Sequence, residues 1–209
     1  MSLRFYFFPF ALSAFLALLA LLPNAARAQQ LQDGALVAAL KRGGYVIVMR
    51  HASSPRELPD KQTADPQNVN LERQLDANGR ETAIAFGKAL RFLKIPVGDV
   101  LASSTYRAME TARFAELPNP RAIPELGDNG RSMQLTTEAQ ADWLRKAAAH
   151  FTPRTNTIII THQPNIADAF PEWSAALTDG EALVIGPNGK GGTILVARVK
   201  IQDWPRLQP

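Results

Sequence analysis

The feature that most constrains the fold is a set of short apolar runs that are rich in β-branched residues. Residues 45–49 and 157–161 are the clearest examples, and uninterrupted apolar runs of this length are typical of strands buried on both faces. Segments with apolar residues at helical spacing lie between such runs, for example the one that Asp76 can cap and that continues to about residue 93. Strands that alternate with helices predict an α/β fold, a three-layer α/β/α sandwich around a mixed, mainly parallel central sheet.

The other elements follow from the same periodicities. We predict further helices over residues 31–41, 107–115, 136–150 and 165–170, and further strands over residues 97–102, 121–123, 182–185 and 193–199. The last two strands can pair across a turn at residues 187–192, which would give the sheet an antiparallel edge. Residues 52–73 are polar and rich in proline, and they are predicted to form one long loop. Loops of that length in a compact domain are usually functional or disordered.

The first 28 residues have the pattern of a secretory signal peptide. Arg4 provides a positive start, residues 5–22 are almost entirely apolar, and Ala26-Arg27-Ala28 places small residues at the two positions that a signal peptidase reads. We therefore expect cleavage after Ala28, a periplasmic or secreted product, and one mature domain over residues 29–209. The alternative is an uncleaved membrane anchor, because the apolar run approaches spanning length.

The composition narrows the possible chemistry and the possible partners. The 209 residues include no cysteine, which excludes disulfides, thiolate nucleophiles and cysteine-based zinc sites. The formal net charge of +4 falls to +2 once Arg4 and Arg27 leave with the signal peptide, and the remaining basic residues are scattered. This favours a solvated surface over a nucleic-acid interface. After residue 28 no apolar run reaches spanning length, so we expect no stable membrane insertion after cleavage.

Reactive side chains follow three of the predicted strands. The first strand is followed by Arg50 and His51, the second by a segment that reaches Arg107, and the third by His162. Ligands of open α/β sheets bind outside the carboxyl ends of the strands. Two histidines and two arginines are therefore expected to converge on one crevice.

This set of side chains suits phosphoryl transfer. An arginine guanidinium holds phosphate oxygens bidentately and stays charged, and an imidazole is a competent nucleophile near neutral pH. Two arginines also stabilise the negative charge of the transferring group. A metal site fits worse, because the chain has three histidines without close pairing and the arginines would repel a cation. We therefore predict no metal and no other cofactor, and a small phosphorylated substrate.

The same segments resemble the histidine phosphatase superfamily, which contains phosphoglycerate mutases, bacterial phosphohistidine phosphatases, acid phosphatases and phytases. The sequence VMRHA at residues 48–52 resembles the strand-terminal Arg-His-Gly motif of that family. The sequence ASSTYRAMETA at residues 102–112 resembles its Ser-Ser-Pro-x-x-Arg-Ala-x-x-Thr-Ala element, and Thr161-His162 matches the strand that ends in the second histidine. The resemblance covers residues 44–204 and implies a phosphoglycerate mutase-like fold.

The resemblance implies a phosphate monoester hydrolase that works through a phosphohistidine intermediate. His51 would be the nucleophile, with Arg50, Arg107 and His162 completing the phosphate pocket. The general acid of the family usually lies between the second and third of these motifs, which here implies Glu125, with the nearby Asp128 as the alternative.

The sequence departs from the family pattern in several places. Ala52 replaces the usual Gly, Ser104 stands where Pro is common, and Gln163 follows the second histidine where Gly is frequent. The acidic loop is short, which argues against a phosphoglycerate mutase-type phosphotransferase. That activity, and a phosphate-ester binding protein with weak turnover, are the alternative functions. Arg56, Lys61 and Arg73 on the long loop either grip an anionic substrate or are only solvated, and the sequence favours none of the three individually. His150 at a helix end is interpreted as structural.

Overall fold

The computed structural model describes residues 1, 31, 33–55, 72–128 and 137–208. The predicted signal peptide and most of the predicted loop over residues 52–73 therefore lie outside the described residues. Within the described ranges, no helix has the length and apolar character needed to cross a membrane.

The predicted helices and strands occur, and their ends differ from the predictions by one or two residues at most. Two 3₁₀ helices, Pro124–Leu126 and Ile201–Arg206, were not predicted. In the described part of the chain the α-helices are α1 Asp33–Arg42, α2 Ala77–Phe92, α3 Tyr106–Phe114, α4 Glu138–Ala148 and α5 Gln163–Ala169. The strands of the same ranges are β1 Val46–Arg50, β2 Val97–Ser103, β3 Arg121–Ile123, β4 Asn156–Thr161, β5 Ala182–Pro187 and β6 Thr193–Val199.

The six strands form one mixed sheet in the order β3-β2-β4-β1-β5-β6. The pairs β3-β2, β2-β4 and β4-β1 are parallel, whereas β5 and β6 add an antiparallel edge. The prediction of a mixed, mainly parallel α/β sheet is confirmed. In this order the carboxyl ends of β2, β4 and β1 lie next to one another, and these are the strands that precede the predicted site residues.

Both faces of the sheet are covered, which explains why its central strands are apolar throughout. Ile47 and Met49 of β1 belong to the core that contains α1, α2 and α3. Val46 and Val48 of the same strand belong to the core on the other face, with α4 and α5. Successive strand residues point to opposite faces, so a strand buried on both sides has no solvent-facing position for a polar residue.

Two helices begin at residues that cap them. The Asp76 carboxylate accepts a hydrogen bond from the Gly79 amide at 2.6 Å, as the sequence predicted. Thr137 and Gln140 form a capping box, in which each side chain accepts from the backbone amide of the other residue. This reciprocal pair explains why α4 begins at Glu138, two residues after the predicted start.

Candidate active site

The two histidines predicted for the site lie side by side at the carboxyl ends of adjacent parallel strands. The ladder between β1 and β4 pairs Arg50 with Thr161, and the amide of His51 donates to the Thr161 carbonyl at 3.0 Å. The next residue along β4 is His162, and its ring centroid lies 5.3 Å from that of His51. The register of one strand pair therefore brings the two imidazoles together.

His51 is oriented by its own backbone segment. Its Nδ1 lies 2.8 Å from the carbonyl oxygen of Ala52, and the ring is buried. A carbonyl oxygen only accepts hydrogen bonds, so Nδ1 carries the proton. In the neutral ring the lone pair then lies on Nε2, the atom available for attack on an electrophile.

The environment of His51 favours this neutral form. Burial lowers the pKa of His51 well below its ordinary value of 6.5, and the positive charge of Arg107 lowers this pKa further. Smaller contributions in the same direction come from His162 and Arg50. A protonated imidazole has no lone pair on Nε2, so a low pKa keeps the ring nucleophilic at neutral pH.

Contacts with two helices hold the residues that follow His51. The Ala52 amide donates to Thr111 Oγ1 at 3.0 Å, and the Thr111 hydroxyl donates to the Arg107 carbonyl at 2.8 Å. The Ser53 hydroxyl donates to the Asp76 carboxylate at 2.7 Å. Gly79 packs so closely on this segment that a Cβ there would overlap the Ser53 carbonyl oxygen. These contacts fix the Ala52 carbonyl, and with it the tautomer of His51.

His162 sits between a hydroxyl group and a guanidinium. Its Nε2 lies 2.9 Å from Ser103 Oγ and 3.4 Å from Thr105 Oγ1, whereas its Nδ1 lies 3.4 Å from Arg107 Nη2. A guanidinium only donates, so Nδ1 is the acceptor and Nε2–H points to Ser103. Burial lowers the pKa of His162 well below 6.5, and Arg107, Arg73 and then Arg50 lower it further.

Arg107 is held by a buried carboxylate. Its Nη2 donates to Asp128 Oδ2, and that oxygen lies 3.6 Å from Nδ1 of His162. A buried guanidinium is stable only when it is paired and hydrogen-bonded. Asp128, the alternative general acid, is therefore placed by the structure as the partner of Arg107, beside His162.

Three side chains hold the backbone that leads into Asp128. The Thr161 hydroxyl donates to the Leu126 carbonyl at 2.8 Å. The side-chain amides of Gln140 and Asn165 donate to the Gly127 carbonyl at 3.0 and 3.1 Å. These donors come from β4, α4 and α5, so the position of Asp128 depends on three separate elements. Sequence reasoning did not single out Gln140 or Asn165.

Arg50, the last residue of β1, forms an ion pair with Asp179 at 2.5 Å. The segment that carries Asp179 is attached to the same strand end, because the Gly180 amide donates to the His51 carbonyl at 2.9 Å and the Arg50 amide to the Glu181 carbonyl at 3.1 Å. Sequence reasoning did not single out Asp179. Asp179 lies far from its partner Arg50 along the chain.

The structure places Glu125 differently from the other predicted site residues. Glu125 lies in the 3₁₀ helix after β3, its side chain is exposed, and no hydrogen bond joins it to the described pocket residues. Its role as proton donor stays a prediction. Among the described residues, no group of three or more His, Cys, Asp or Glu side chains could hold a metal ion.

Arg73 lies near His162, although the sequence did not distinguish it from a solvated surface charge. Its side chain is buried, it donates to the Pro55 carbonyl at 3.2 Å, and its charge lowers the pKa of His162. Two hydrogen bonds attach residues 72–75, the segment that contains Arg73, to α3. Glu72 accepts from the Tyr106 amide, and Glu110 accepts from the Leu75 amide at 3.2 Å. A single arginine in a polar loop carries no local signal of such burial.

Comparisons with known proteins identify the fold. No protein-family model matches the sequence, and no curated protein is similar to it. A protein histidine phosphatase SixA solved with tungstate has a TM-score of 0.55 at 17% identity, over 76% of this chain and 98% of that one. A SixA structure from Agrobacterium tumefaciens gives 0.53 at 15% identity, over 75% and 97% of the two chains.

A phosphoserine phosphatase from Entamoeba histolytica, solved with phosphoserine, has a TM-score of 0.52 at 12% identity, over 76% of this chain and 98% of that one. At such low identity these likenesses establish the fold alone. The activity has to be inferred from the geometry of the site. The fold expected from the three sequence motifs is confirmed: this chain has the fold of the histidine phosphatase superfamily.

Proposed function

We propose that this chain is a phosphate monoester hydrolase that forms a phosphohistidine on Nε2 of His51. The observation that carries the proposal is the 2.8 Å hydrogen bond between His51 Nδ1 and the Ala52 carbonyl, in a ring whose pKa burial lowers. Together they leave a neutral imidazole with its lone pair on Nε2, which is what nucleophilic catalysis requires. Structures of the same fold that were solved with tungstate and with phosphoserine support a pocket for a tetrahedral oxyanion.

The reaction has two steps. In the first, Nε2 of His51 bonds to phosphorus while the bond from phosphorus to the ester oxygen breaks, and Glu125 is the proposed donor of the proton that the leaving oxygen takes. In the second, water attacks phosphorus and gives a proton to the Glu125 carboxylate, the phosphorus–nitrogen bond breaks, and inorganic phosphate leaves with Nε2 of His51 and the Glu125 acid restored. Arg50 and Arg107 bind the phosphoryl oxygens and stabilise their charge in both steps. His162 is proposed to join them by turning its Nε2–H from Ser103 to a phosphoryl oxygen.

The proposal is tested by removing the nucleophile and by trapping the intermediate. His51→Ala is expected to abolish hydrolysis of p-nitrophenyl phosphate, whereas His150→Ala, at the exposed end of α4, is expected to retain it. Rapid acid quenching with a labelled substrate should leave an acid-labile, base-stable label on His51. Full activity of His51→Ala would contradict the proposal.

A phosphate-ester binding protein with weak turnover is a second candidate. The exposed side chain of Glu125 favours it, because efficient departure of an alkyl alcohol needs a proton donor within hydrogen-bonding reach. Such a protein would bind phosphate esters tightly, and the quench experiment would find no label on His51 during turnover.

We also propose that the protein is exported and that residues 1–28 are removed. N-terminal sequencing of the protein from fractionated cells tests this. A periplasmic or secreted product that begins at Gln29 is expected. A membrane-bound product that keeps these residues would instead identify them as an anchor.

A further inference from the structure

At the end of the sheet opposite His51, one buried side-chain amide joins three segments of the chain. The Asn156 amide group donates to the Leu40 carbonyl at 2.8 Å and to the Pro96 carbonyl at 2.9 Å, and its oxygen accepts from the Tyr45 amide at 3.3 Å. These contacts attach the last turn of α1 and the segment after α2 to the start of β4. The amino ends of β1, β2 and β4 therefore meet the carboxyl ends of α1 and α2 on one side of the molecule.

Basic residues that are scattered along the sequence meet at this end of the sheet. Lys41 and Arg42 end α1, Lys94 follows α2 and Arg154 precedes β4, and all four side chains are exposed. A Cβ at Gly43 would overlap the backbone of Arg154, so the end of α1 lies directly against the loop before β4. We call these four basic residues the basic face. Cations at the carboxyl ends of helices suit the helix dipole, but Arg154 lies outside the helices.

The carboxylates near the basic face do not neutralise it. Glu116 pairs with Arg91 at 2.7 Å, and Asp99 pairs with Arg121 at 3.2 Å. Each of these pairs adds no net charge. None of the four residues of the basic face forms an ion pair with another described residue. The fold therefore gathers four positive charges that the sequence alone does not bring together.

An exposed aromatic ring lies next to the basic face. Phe92 is the last residue of α2, two positions before Lys94, and it is 81% exposed. It lies outside the buried stripe of that helix. A cleft of about 260 Å³ beside the ring is lined mostly by apolar side chains, among them Leu93, Pro205 and Leu207. Removing an aromatic ring from water is favourable, and the fold leaves that gain to a partner.

An apolar ring among cations fits the surface of an anionic lipid bilayer. Each lysine or arginine near such a surface strengthens binding about fivefold, and an aromatic ring is stabilised at the boundary between headgroups and acyl chains. The charges of the basic face come from three separate segments, so a flat partner contacts all of them. A peptide in the cleft beside Phe92 would contact few of them. The cleft is also smaller than the roughly 300–1,000 Å³ that is typical of small-molecule sites.

We propose that this end of the molecule docks on an anionic lipid bilayer, with the Phe92 ring among the headgroups and the basic face against their phosphates. The docking is peripheral and requires no membrane-spanning segment. The 16 residues of α2 run from the segment beside His51 to Phe92, a distance of roughly 24 Å. The carboxyl ends of the parallel strands, and His51 with them, therefore face away from the bilayer. This inference does not depend on the proposed hydrolase activity.

Co-sedimentation with vesicles tests the docking on the protein as it is isolated from cells. We expect binding to vesicles that contain phosphatidylglycerol, weaker binding as salt is added, and little binding to pure phosphatidylcholine. Lys94→Gln and Arg154→Gln should each weaken binding about fivefold. Phe92→Ala should weaken it about tenfold, whereas Phe92→Trp should retain it. Lys200→Gln, an exposed lysine at the opposite end of the sheet, is the matched control. All these side chains are exposed, so the variants are expected to keep the fold.

Equal binding to the two lipids, or equal binding by the wild type and the Lys94 and Arg154 variants, would overturn the proposal. Self-association that requires Phe92, without binding to vesicles, would identify a second copy of the chain as the partner instead. Binding of a DNA oligonucleotide that requires the cations but not Phe92, again without binding to vesicles, would identify a nucleic acid. If p-nitrophenyl phosphate is hydrolysed, we expect the same kcat/KM with and without vesicles, and inhibition by vesicles would contradict the proposed orientation.

Discussion

The carboxylate of Asp128 is buried against the guanidinium of Arg107, and each side chain is about 1% exposed. The pair lies against His162, whose Nδ1 is 3.6 Å from the carboxylate and 3.4 Å from the guanidinium. Neither charge is stable alone in this environment. The pair therefore sets the orientation of the Arg107 guanidinium beside His162, where the proposed phosphoryl group would bind.

Removing the charge of Asp128 tests this relationship. Asp128→Asn keeps the shape but leaves Arg107 without its buried counter-charge, so we expect unfolding free energy to fall by about 3 kcal/mol. We expect kcat/KM for p-nitrophenyl phosphate to fall at least about tenfold. Urea unfolding and steady-state kinetics measure the two effects. Asp99→Asn removes an exposed partner of Arg121 and should change stability by less than about 1 kcal/mol.

Asn165 is expected to act on the reaction through Asp128. Asn165→Leu removes the donor to the Gly127 carbonyl, which should destabilise the protein by about 1–3 kcal/mol and lower kcat. If the effect passes through Asp128, the loss of kcat in the double variant with Asp128→Asn should be smaller than the product of the two single losses. Multiplicative losses would show that Asn165 is only a packing residue.

The protonation of His51 can be observed directly. Because burial and Arg107 lower its pKa, the ring should stay neutral at pH 6.5 and take up a proton only at lower pH. Nitrogen chemical shifts of the imidazole, followed by NMR from pH 8 to acid, should show the proton on Nδ1 throughout this neutral range. A titration midpoint at or above 6.5, or a proton on Nε2, would argue against the proposed nucleophile.

The same low pKa values make stability depend on pH. Below about pH 6.5 the unfolded chain protonates both His51 and His162, whereas the folded protein keeps them neutral. Stability is therefore expected to fall as the pH decreases from 6.5 toward the folded-state pKa values, by up to about 1.4 kcal/mol per pH unit for each histidine. Urea unfolding of His162→Gln should show a shallower dependence than the wild type over that range.

Glu125 is tested by the choice of leaving group. If it protonates the departing oxygen, Glu125→Gln should slow the hydrolysis of an alkyl phosphate much more than that of p-nitrophenyl phosphate, whose leaving group needs no proton. Glu116→Gln, another exposed glutamate, serves as the control. Equal rates of Glu125→Gln and wild type on the alkyl ester would assign the donor to another residue.

The sheet, its helices and the strand ends that carry reactive groups could be predicted from the sequence. These properties are local. A strand such as β1, buried on both faces, has to be a continuous apolar run, and the first polar residue after it marks the strand end where ligands bind. Arg50, His51, Arg107 and His162 could therefore be located from the pattern and from the family motifs together.

The side chains that support these four residues could not be predicted from the sequence, because their contacts form only in the folded chain. Asp128 meets Arg107 because donors from β4, α4 and α5 fix the loop before it, and Asp179 reaches Arg50 because β5 pairs antiparallel with β1. Such contacts join residues far apart in the chain. Hydrophobic periodicity predicts the helix or strand of each partner but does not indicate which distant residue it will contact. The burial of a charged residue such as Arg73 depends on the residues that pack over it. The sequence of a polar loop gives no indication of those residues.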